Sequence, residues 1–206
     1  MFLKKKKIIS FLVSGRGSNF KAVAEKIKNG YIHAETGIVI SSSPDALAIK
    51  KSEELGIRSI ILDHVNFKSK EEHESEIIKS LENCKTDLIV AAGYMRILSP
   101  SFINRFRNRI INIHPSLLPS FAGKNAQQQA LDYGVKITGC TTHFIDEGTD
   151  TGPIIMQAPV KIDEDDDINT LSTKILKEEH RILIESVKLF CEDRLLLINN
   201  IVLIKK

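Results

Sequence analysis

Short apolar runs alternate with amphipathic segments along the chain, and this alternation predicts the secondary structure. The run "IISFLV" (residues 8–13) is almost continuously apolar, which is typical of a strand that is buried on both faces. Similar runs recur through the first half of the chain. They predict strands at residues 8–13, 37–41, 57–62, 87–93 and 110–113.

Helix signals occupy the segments between these strands. Pro44 stands in the first turn of the segment 44–55 and Gly56 follows it, as at the two ends of a helix. Ser99 is predicted to cap a short helix that starts directly after it. The other predicted helices are residues 19–28, 70–81, 126–134 and 168–191.

The order of these elements predicts the fold. Strands that alternate with helices indicate a parallel α/β sheet with right-handed crossovers. Residues 136–145 and 153–160 alternate in a strand-like way across a short loop, and residues 194–206 are predicted to form a hairpin around an Asn-Asn turn. We therefore expect a mostly parallel, Rossmann-like sheet with helices on both faces and an antiparallel edge near the C-terminus.

Composition narrows the class of protein. With 206 residues, of which 42% are apolar and 27% charged, the chain is expected to form one globular domain. The start "MFLKKKK" is basic like a signal peptide, but the apolar run after it continues into "SGRGSN" without a cleavage motif. We assign that run to the first strand. No apolar stretch reaches the ~18 residues of a membrane span.

Cysteines and net charge exclude further classes. Cys84, Cys140 and Cys191 lie far apart, which argues against a disulfide framework or a zinc cluster and favours a reducing cytoplasm. The net charge of +3 comes without a long basic stripe or a tryptophan, so a dedicated nucleic-acid binder is not expected. A small anionic substrate needs only a local positive site and stays compatible with this charge.

The segment "SGRGSN" (residues 14–19) follows the first strand and opens the first helix. Gly15 and Gly17 allow a tight turn, and Ser18 and Asn19 are residue types that cap helices. A helix start of this kind attracts anions. Because the spacing fits neither the dinucleotide fingerprint nor a Walker A loop, a single phosphate is the best match. The alternative is a plain strand-to-helix turn.

Ligands of parallel sheets bind at the carboxyl ends of the strands, where two further motifs lie. In "AAGYMRILSP" (residues 91–100), Gly93 permits close approach and Arg96 stands among apolar residues, which is consistent with a pocket wall for a flat heterocycle. The alternative is an ordinary solvated arginine.

The fifth strand ends in "INIHP", where Asn112 and His114 point to the same side because side chains alternate along a strand. An amide suits a developing oxyanion, and an imidazole can carry a proton near neutral pH. The alternative for His114 is a purely structural histidine.

Acidic residues follow in two places. The loop "THFIDEGTDTGP" (residues 142–153) carries Asp146, Glu147 and Asp150, and a carboxylate beside an imidazole would fix its tautomer and favour its charged form. A polar connecting loop is the alternative, and metal binding stays open although the spacing of a calcium loop is absent. The run "DEDDD" (residues 163–167) is assigned to the start of the last helix.

Five stretches occur in this order: "GRGSN", "AAGYMRILSP", "NIHPSLLPSFAG", "GCTTHF" and "DEGTDTGPIIMQ". Together they resemble the phosphoribosylglycinamide formyltransferases, a family of folate-dependent enzymes of purine synthesis, and they span nearly the whole chain. The "NIHPSLLP" segment and the later "DTGP" are specific to the wider formyltransferase family. The segment "KNAQQQ" differs from relatives that carry histidines there, so we transfer no catalytic role to it.

The resemblance implies three groups of site residues. The catalytic trio would be Asn112, His114 and Asp150. Glycinamide ribonucleotide would be held at its phosphate by Gly17, Ser18 and Asn19, and at its ribose or glycinamide part by Glu179. The folate would be bound by Arg96, Ile97, Leu98 and Asp146, with the loop 146–150 closing the pocket.

The implied reaction is formyl transfer from 10-formyltetrahydrofolate, the co-substrate, to the amine of glycinamide ribonucleotide, without a metal. Asn112 and a protonated His114 would stabilise the oxyanion, Asp150 would keep that histidine charged, and water would carry the proton. These two small molecules are the expected partners, without nucleic acid or membrane, of a cytoplasmic monomer or homodimer. One domain, 1–206, would comprise a phosphate-binding half (1–100), a catalytic and folate-binding half (101–191) and a hairpin (192–206).

Three alternatives remain open. Formyltetrahydrofolate deformylase uses water as acceptor and has an extra N-terminal regulatory domain, for which a strand at residue 8 is expected to leave no room. Methionyl-tRNA formyltransferase has a further C-terminal domain, whereas this chain is expected to end soon after its long helix. A non-catalytic module that senses a phosphorylated metabolite would need only the phosphate turn.

Overall fold

The computed structural model describes residues 5–205, so the start of the basic segment "MFLKKKK" and the last residue of the predicted hairpin, Lys206, lie outside the described residues. The strands are β1 (Lys7–Val13), β2 (Ala34–Ser41), β3 (Ser59–Ile61), β4 (Leu88–Ala91), β5 (Ile110–His114), β6 (Ile137–Phe144), β7 (Ile154–Lys161), β8 (Leu195–Ile198) and β9 (Ile201–Ile204). The helices are α1 (Ser18–Lys28), α2 (Leu47–Leu55), α3 (Lys70–Asn83), α4 (Pro100–Arg105), α5 (Ala126–Tyr133) and α6 (Ile168–Cys191).

The strands form one large sheet and one hairpin. The sheet has the order β3-β2-β1-β4-β5-β6-β7, and β8 and β9 form a separate two-stranded sheet. Pairing of β1 with β2 and β4, and of β2 with β3, is parallel, whereas β6 and β7 pair antiparallel at the edge. The predicted mostly parallel sheet with an antiparallel edge is therefore confirmed.

Contacts divide the chain into two compact units, Met1–Ile111 and Asn112–Lys206. In the first unit the central strand β1 is apolar because it is covered on both faces, and Phe11, Leu12 and Val13 are fully buried. The loops after β1, β2 and β4 leave from the same edge because these strands are parallel. The expected organisation as one domain with halves 1–100 and 101–191 stays a prediction.

Several predicted boundaries in the first unit are wrong, among them the start of β2, which lies at Ala34 and not at residue 37. The second helix begins at Leu47 and not at Pro44, because Pro44 lies in a turn in which the N–H of Ala46 contacts the carbonyl of Ser43 at 3.5 Å. The fourth strand ends at Ala91, and Gly93 follows it in a left-handed turn with φ of 73°. The predicted cap of α4 is confirmed, since the hydroxyl of Ser99 accepts from the N–H of Phe102.

In the second unit, α6 has its predicted bounds. Asp167 caps it by accepting from the N–H groups of Asn169 and Thr170, both at 2.8 Å. The preceding acids also stabilise this helix, because Lys174 binds Asp163 at 2.8 Å and Asp166 at 2.6 Å. The run 163–167 is thus a structural feature, as predicted.

The C-terminal hairpin is also confirmed. Asn199 and Asn200 connect β8 and β9 with φ of 47° and 64°, which is the left-handed pair of a tight hairpin turn. None of the helices within residues 5–205 has both the length and the apolar character needed to cross a membrane.

Candidate active site

Two polar side chains mark the end of β5. Asn112 and His114 lie two residues apart on this strand, so they share a face, and His114 is only 5% exposed. Pro115 follows directly and ends the strand, because proline cannot donate to a ladder. A buried imidazole must find partners for its nitrogens, and the second unit supplies them.

Oxygen atoms face both nitrogens of His114. Its Nδ1 lies 3.2 Å from Oδ2 of Asp150, and its Nε2 donates to the carbonyl of Phe121 at 2.9 Å. A neutral imidazole has one N–H donor, whereas the imidazolium has two. Each nitrogen of His114 thus faces an oxygen that can accept a hydrogen bond, and the Asp150 carboxylate places its negative charge beside Nδ1.

The carboxylate of Asp150 accepts a backbone hydrogen bond at one oxygen and lies close to a second histidine with the other. Its Oδ2 accepts from the N–H of Gly123 at 2.9 Å, and its Oδ1 lies 3.6 Å from Nε2 of His143. Asp150 and Phe121 both have left-handed backbones, with φ of 56° and 54°. This conformation is uncommon outside glycine and is maintained where surrounding contacts determine it, as they do here.

His143, which the sequence did not predict as a site residue, completes the cluster. It donates from Nδ1 to the carbonyl of Phe144 at 3.0 Å, so its Nε2 is the acceptor for the amide of Asn112 at 3.1 Å. Burial lowers the pKa of His143, while the Phe144 hydrogen bond and Asp150 act in the opposite direction. A neutral His143 thus orients the amide of Asn112, and the second N–H of that amide stays available for another acceptor.

One sequence signal could have revealed His143. It stands near the end of β6, just before the acidic loop, much as His114 stands at the end of β5. The carbonyl of Phe121 and the N–H of Gly123 carry no such signal, because they are backbone groups whose positions depend on the path of a loop.

The loop between β6 and β7 is shaped by its own hydrogen bonds. Oδ1 of Asp146 accepts from the N–H of Gly148 at 3.2 Å and from the hydroxyl of Thr151 at 2.8 Å. At Gly152 an added Cβ would lie 1.9 Å from the carbonyl oxygen of Phe144, so only glycine fits. These contacts determine where the chain presents Asp150.

A second set of hydrogen bonds supports the segment after β5. The hydroxyl of Thr141 donates to the carbonyl of Ser116 at 2.7 Å and accepts from the N–H of Leu118 at 3.1 Å. Gln157 on β7 donates to the carbonyl of Leu118 at 2.9 Å. The segment that leads to Phe121 is therefore fastened to the antiparallel edge of the sheet.

The predicted phosphate turn lies in the first unit. Gly17 is the residue before α1, with φ of 65°, and a Cβ there would lie 2.5 Å from that of Ala48. Ser18 and Asn19 lie in the first turn of the helix, and Gly17 occupies the capping position. Gly17 has no side chain that could cap α1, so no capping side chain takes the first N–H groups of the helix, an arrangement that suits an anion.

Three of the four predicted folate residues, all except Asp146, lie in the segment 93–98, here named the 93–98 loop. Arg96 is exposed, and Met95 and Ile97 are 78% and 76% exposed, whereas Leu98 is buried. Arg96 and Ile97 are thus accessible to a ligand, whereas the buried side chain of Leu98 anchors the end of the loop in the core. Apolar side chains with this degree of exposure mark a surface that can receive a flat ring.

Glu179 is buried on α6, where a charged residue is unusual. Burial raises the pKa of Cys140 on β6 to about 12, and the charge of Glu179 adds to this rise, so the two side chains are neighbours. Its role in binding substrate stays a prediction. Within the described chain, no cluster of three or more His, Cys, Asp or Glu side chains could hold a metal ion.

Comparison with known proteins identifies the family. The family described as Formyl transferase matches residues 6–187. The phosphoribosylglycinamide formyltransferase of Bacillus subtilis (strain 168) is 39% identical over 175 residues, which cover 85% of this chain and 90% of that protein. The trifunctional purine biosynthetic protein adenosine-3 of Drosophila melanogaster is 43% identical over 87% of this chain, which spans 14% of that longer protein.

Structural comparison agrees with the sequence comparison. A crystal structure of glycinamide ribonucleotide transformylase 1 from Symbiobacterium toebii has a TM-score of 0.98 at 38% identity, covering 100% of this chain and 98% of that one. The family predicted from the five sequence motifs is thereby confirmed. The chain belongs to the formyl transferase family, and within it to the phosphoribosylglycinamide formyltransferases.

Proposed function

We propose that this protein transfers the formyl group of 10-formyltetrahydrofolate to the amine of 5-phosphoribosyl-glycinamide, a step of purine (IMP) synthesis. The cluster of Asn112, His114, His143 and Asp150 carries this proposal, because it combines a fixed amide donor with a buried imidazole that lies beside a carboxylate. Family membership supplies the two substrates. Folate serves as co-substrate.

The reaction places negative charge on one oxygen. The amine attacks the formyl carbon, a C–N bond forms, and the carbonyl electron pair moves to oxygen. The bond from that carbon to N10 of the folate then breaks, and the amine's proton passes through water to N10. Donors aimed at the developing oxyanion lower the barrier of such a step.

Asn112 and His114 supply these donors. One N–H of the Asn112 amide is bound to His143, so the other can point to the substrate oxygen. His114 donates to the carbonyl of Phe121 from Nε2, and a full negative charge on the substrate is a stronger acceptor than a neutral carbonyl. We infer that the oxyanion replaces Phe121 as partner while Asp150 keeps the imidazolium charged.

The substrate contacts follow from the turns and loops already described. The phosphate would bind at Gly17, Ser18 and Asn19, where the helix start attracts an anion. Glu179 would meet the rest of glycinamide ribonucleotide. The folate would contact Arg96 and Ile97, with Leu98 as support and Asp146 in the closing loop. A cytoplasmic location, independence of metals and a monomeric or homodimeric state complete the proposal.

Turnover with different acceptors tests the function. The protein is incubated with 10-formyltetrahydrofolate and, in turn, with glycinamide ribonucleotide, water alone and methionyl-tRNA, and release of tetrahydrofolate is followed. We expect release that depends on glycinamide ribonucleotide. Release in water alone would identify a hydrolase, and dependence on methionyl-tRNA another formyltransferase. No release with any acceptor would favour a binding module.

A further inference from the structure

A buried carboxylate outside the catalytic cluster binds the end of the 93–98 loop. Glu74 on α3 is 5% exposed, and its two oxygens accept from the N–H of Ser99, at 2.9 Å, and from the hydroxyl of the same residue. Lys70 lies 3.8 Å from it. Burying a carboxylate is costly unless its bonds repay the lost hydration, so this contact fixes Ser99 firmly.

A hydroxyl binds the other end of the same loop. Oγ of Ser14 accepts from the N–H of Met95 at 2.9 Å and lies 2.7 Å from Oγ of Ser42. Ser14 follows β1 and begins the phosphate turn, and Ser42 follows β2. One small side chain therefore connects the loop to the ends of two neighbouring strands.

The residues between these contacts are the ones expected to meet the folate. We propose that Glu74 and Ser14 are positioning residues, which hold the 93–98 loop in its folate-binding conformation and so set the affinity for folate. A loop that is ordered before binding does not lose its conformational freedom when the ligand arrives. This inference rests on the proposed function, because it assumes that the loop binds folate.

The surroundings of Tyr94 support this arrangement. Burial raises the pKa of Tyr94 to about 12, with the charge of Arg96 opposing the rise and that of Glu74 adding to it. Glu74 and Arg96 thus act on the same phenol. Tyr94 is half-buried, whereas Met95 and Ile97 on either side of Arg96 are exposed.

Variants of Glu74 test the proposal against a control on the same helix. Glu74→Ala removes both acceptors, whereas Glu74→Gln keeps one oxygen for the N–H of Ser99. Glu76→Gln is the control, because Glu76 is 45% exposed and pairs only weakly, with Lys79 at 3.5 Å. The measurements are Kd for tetrahydrofolate by calorimetry, KM for each substrate, and kcat.

The expected pattern is a loss of folate affinity. Glu74→Ala should raise Kd for tetrahydrofolate and KM for 10-formyltetrahydrofolate about tenfold, and Glu74→Gln about threefold, as for loss of hydrogen bonds to a charged group. KM for glycinamide ribonucleotide and kcat should change by less than about twofold, because neither the phosphate turn nor the catalytic cluster is altered. Glu76→Gln should behave like the parent protein.

Variants of the serines test the second contact. Ser14→Ala removes the acceptor of the Met95 N–H, whereas Ser42→Ala leaves it in place. We expect Ser14→Ala to raise Kd for tetrahydrofolate about threefold and more than Ser42→Ala does, since one neutral hydrogen bond is lost.

Two results would overturn the inference. One is a Glu74→Ala protein with a parental unfolding temperature and a parental Kd for tetrahydrofolate. If Glu74→Ala does not fold, parental affinity in both Glu74→Gln and Ser14→Ala has the same meaning. Failure of the proposed function gives a different pattern, because the parent protein itself would then show no turnover dependent on glycinamide ribonucleotide.

Discussion

At the scale of single residues, the orientation of the Asn112 amide depends on His143. The hydrogen bond from Asn112 to Nε2 of His143 is 3.1 Å long and determines which way the amide group faces. Replacing His143 with Leu removes the acceptor, so we expect kcat/KM to fall about 10²-fold, as for a misplaced oxyanion donor. His143→Gln can place an oxygen near the position of Nε2 and should lose less than about tenfold. Equal losses in the two variants would show that the acceptor does not matter.

The proposed catalytic trio makes the strongest prediction at this scale. Asn112→Ala, His114→Ala and Asp150→Ala should each lower kcat by at least about 10²–10³-fold, because each removes a donor or the charge that sustains one. Steady-state kinetics on variants with parental circular dichroism measures this loss. Asp150→Asn separates charge from shape, because an amide oxygen can still accept from the N–H of Gly123. A folded Asp150→Ala enzyme with near-parental turnover would remove Asp150 from the mechanism.

His143 also predicts how stability depends on pH. Its pKa is lowered in the folded protein, mainly by burial, whereas an unfolded histidine titrates near pH 6.5. Below about pH 6.5 the unfolded chain binds a proton that the folded protein does not, so the free energy of unfolding falls until the folded pKa is reached. Urea unfolding between about pH 7.5 and 5 should show a steeper fall for the parent protein than for His143→Gln. Parallel slopes would contradict this prediction.

At the scale of elements, the sequence predicts what is local. Strand periods and capping residues lie within a few residues of each other, and so α6 and the C-terminal hairpin were predicted correctly. The start of α2 was not, because Pro44 is as compatible with a turn as with a first helical turn. In the candidate site, too, only the residues that are close in sequence could be predicted to lie together. Asn112 and His114 share one strand, whereas the contacts of His143 and Phe121 join different elements.

The hydrogen bonds inside the loop between β6 and β7 are expected to affect the rate of formyl transfer. The hydroxyl of Thr151 donates to Asp146 at 2.8 Å and closes the turn that leads to Asp150. Thr151→Val keeps the shape and removes this bond, so we expect kcat/KM to fall about three- to tenfold, as for loss of roughly 1 kcal/mol of loop order. Thr173→Val on α6 is the control, because its hydroxyl donates to the carbonyl of Asn169 on the exposed side of the helix. Comparable kinetics in both variants would separate the loop from catalysis.

At the scale of the whole molecule, the proposed phosphate and folate loops lie on a different part of the chain from the proposed catalytic cluster, whereas Asp146 and Glu179, also proposed to bind substrate, share the second unit with that cluster. The phosphate turn and the 93–98 loop belong to the first unit, and the catalytic cluster belongs to the second. We therefore expect that a variant of the phosphate turn can lose binding of the ribonucleotide while the catalytic cluster stays intact. Any ligand that binds only the folded protein stabilises it, by about 2.7 kcal/mol at a hundredfold excess over Kd. Thermal unfolding can thus report on binding where turnover has been abolished.

A variant of Gly17 tests whether binding of the ribonucleotide can be lost separately from binding of the folate. Gly17→Ala adds a Cβ 2.5 Å from that of Ala48 at a left-handed φ of 65°, which must shift the turn, whereas a Cβ at Gly15 meets nothing within 4 Å. We expect Gly17→Ala to lose the rise in Tm caused by glycinamide ribonucleotide while keeping the rise caused by tetrahydrofolate. Asp150→Ala should show the opposite pattern. Both ligands should still raise its Tm, whereas its turnover should be lost. If glycinamide ribonucleotide still raises the Tm of a folded Gly17→Ala protein, the phosphate binds elsewhere. If the rise in Tm is lost in Gly15→Ala as well, the backbone shift at Gly17 is not the cause of the loss.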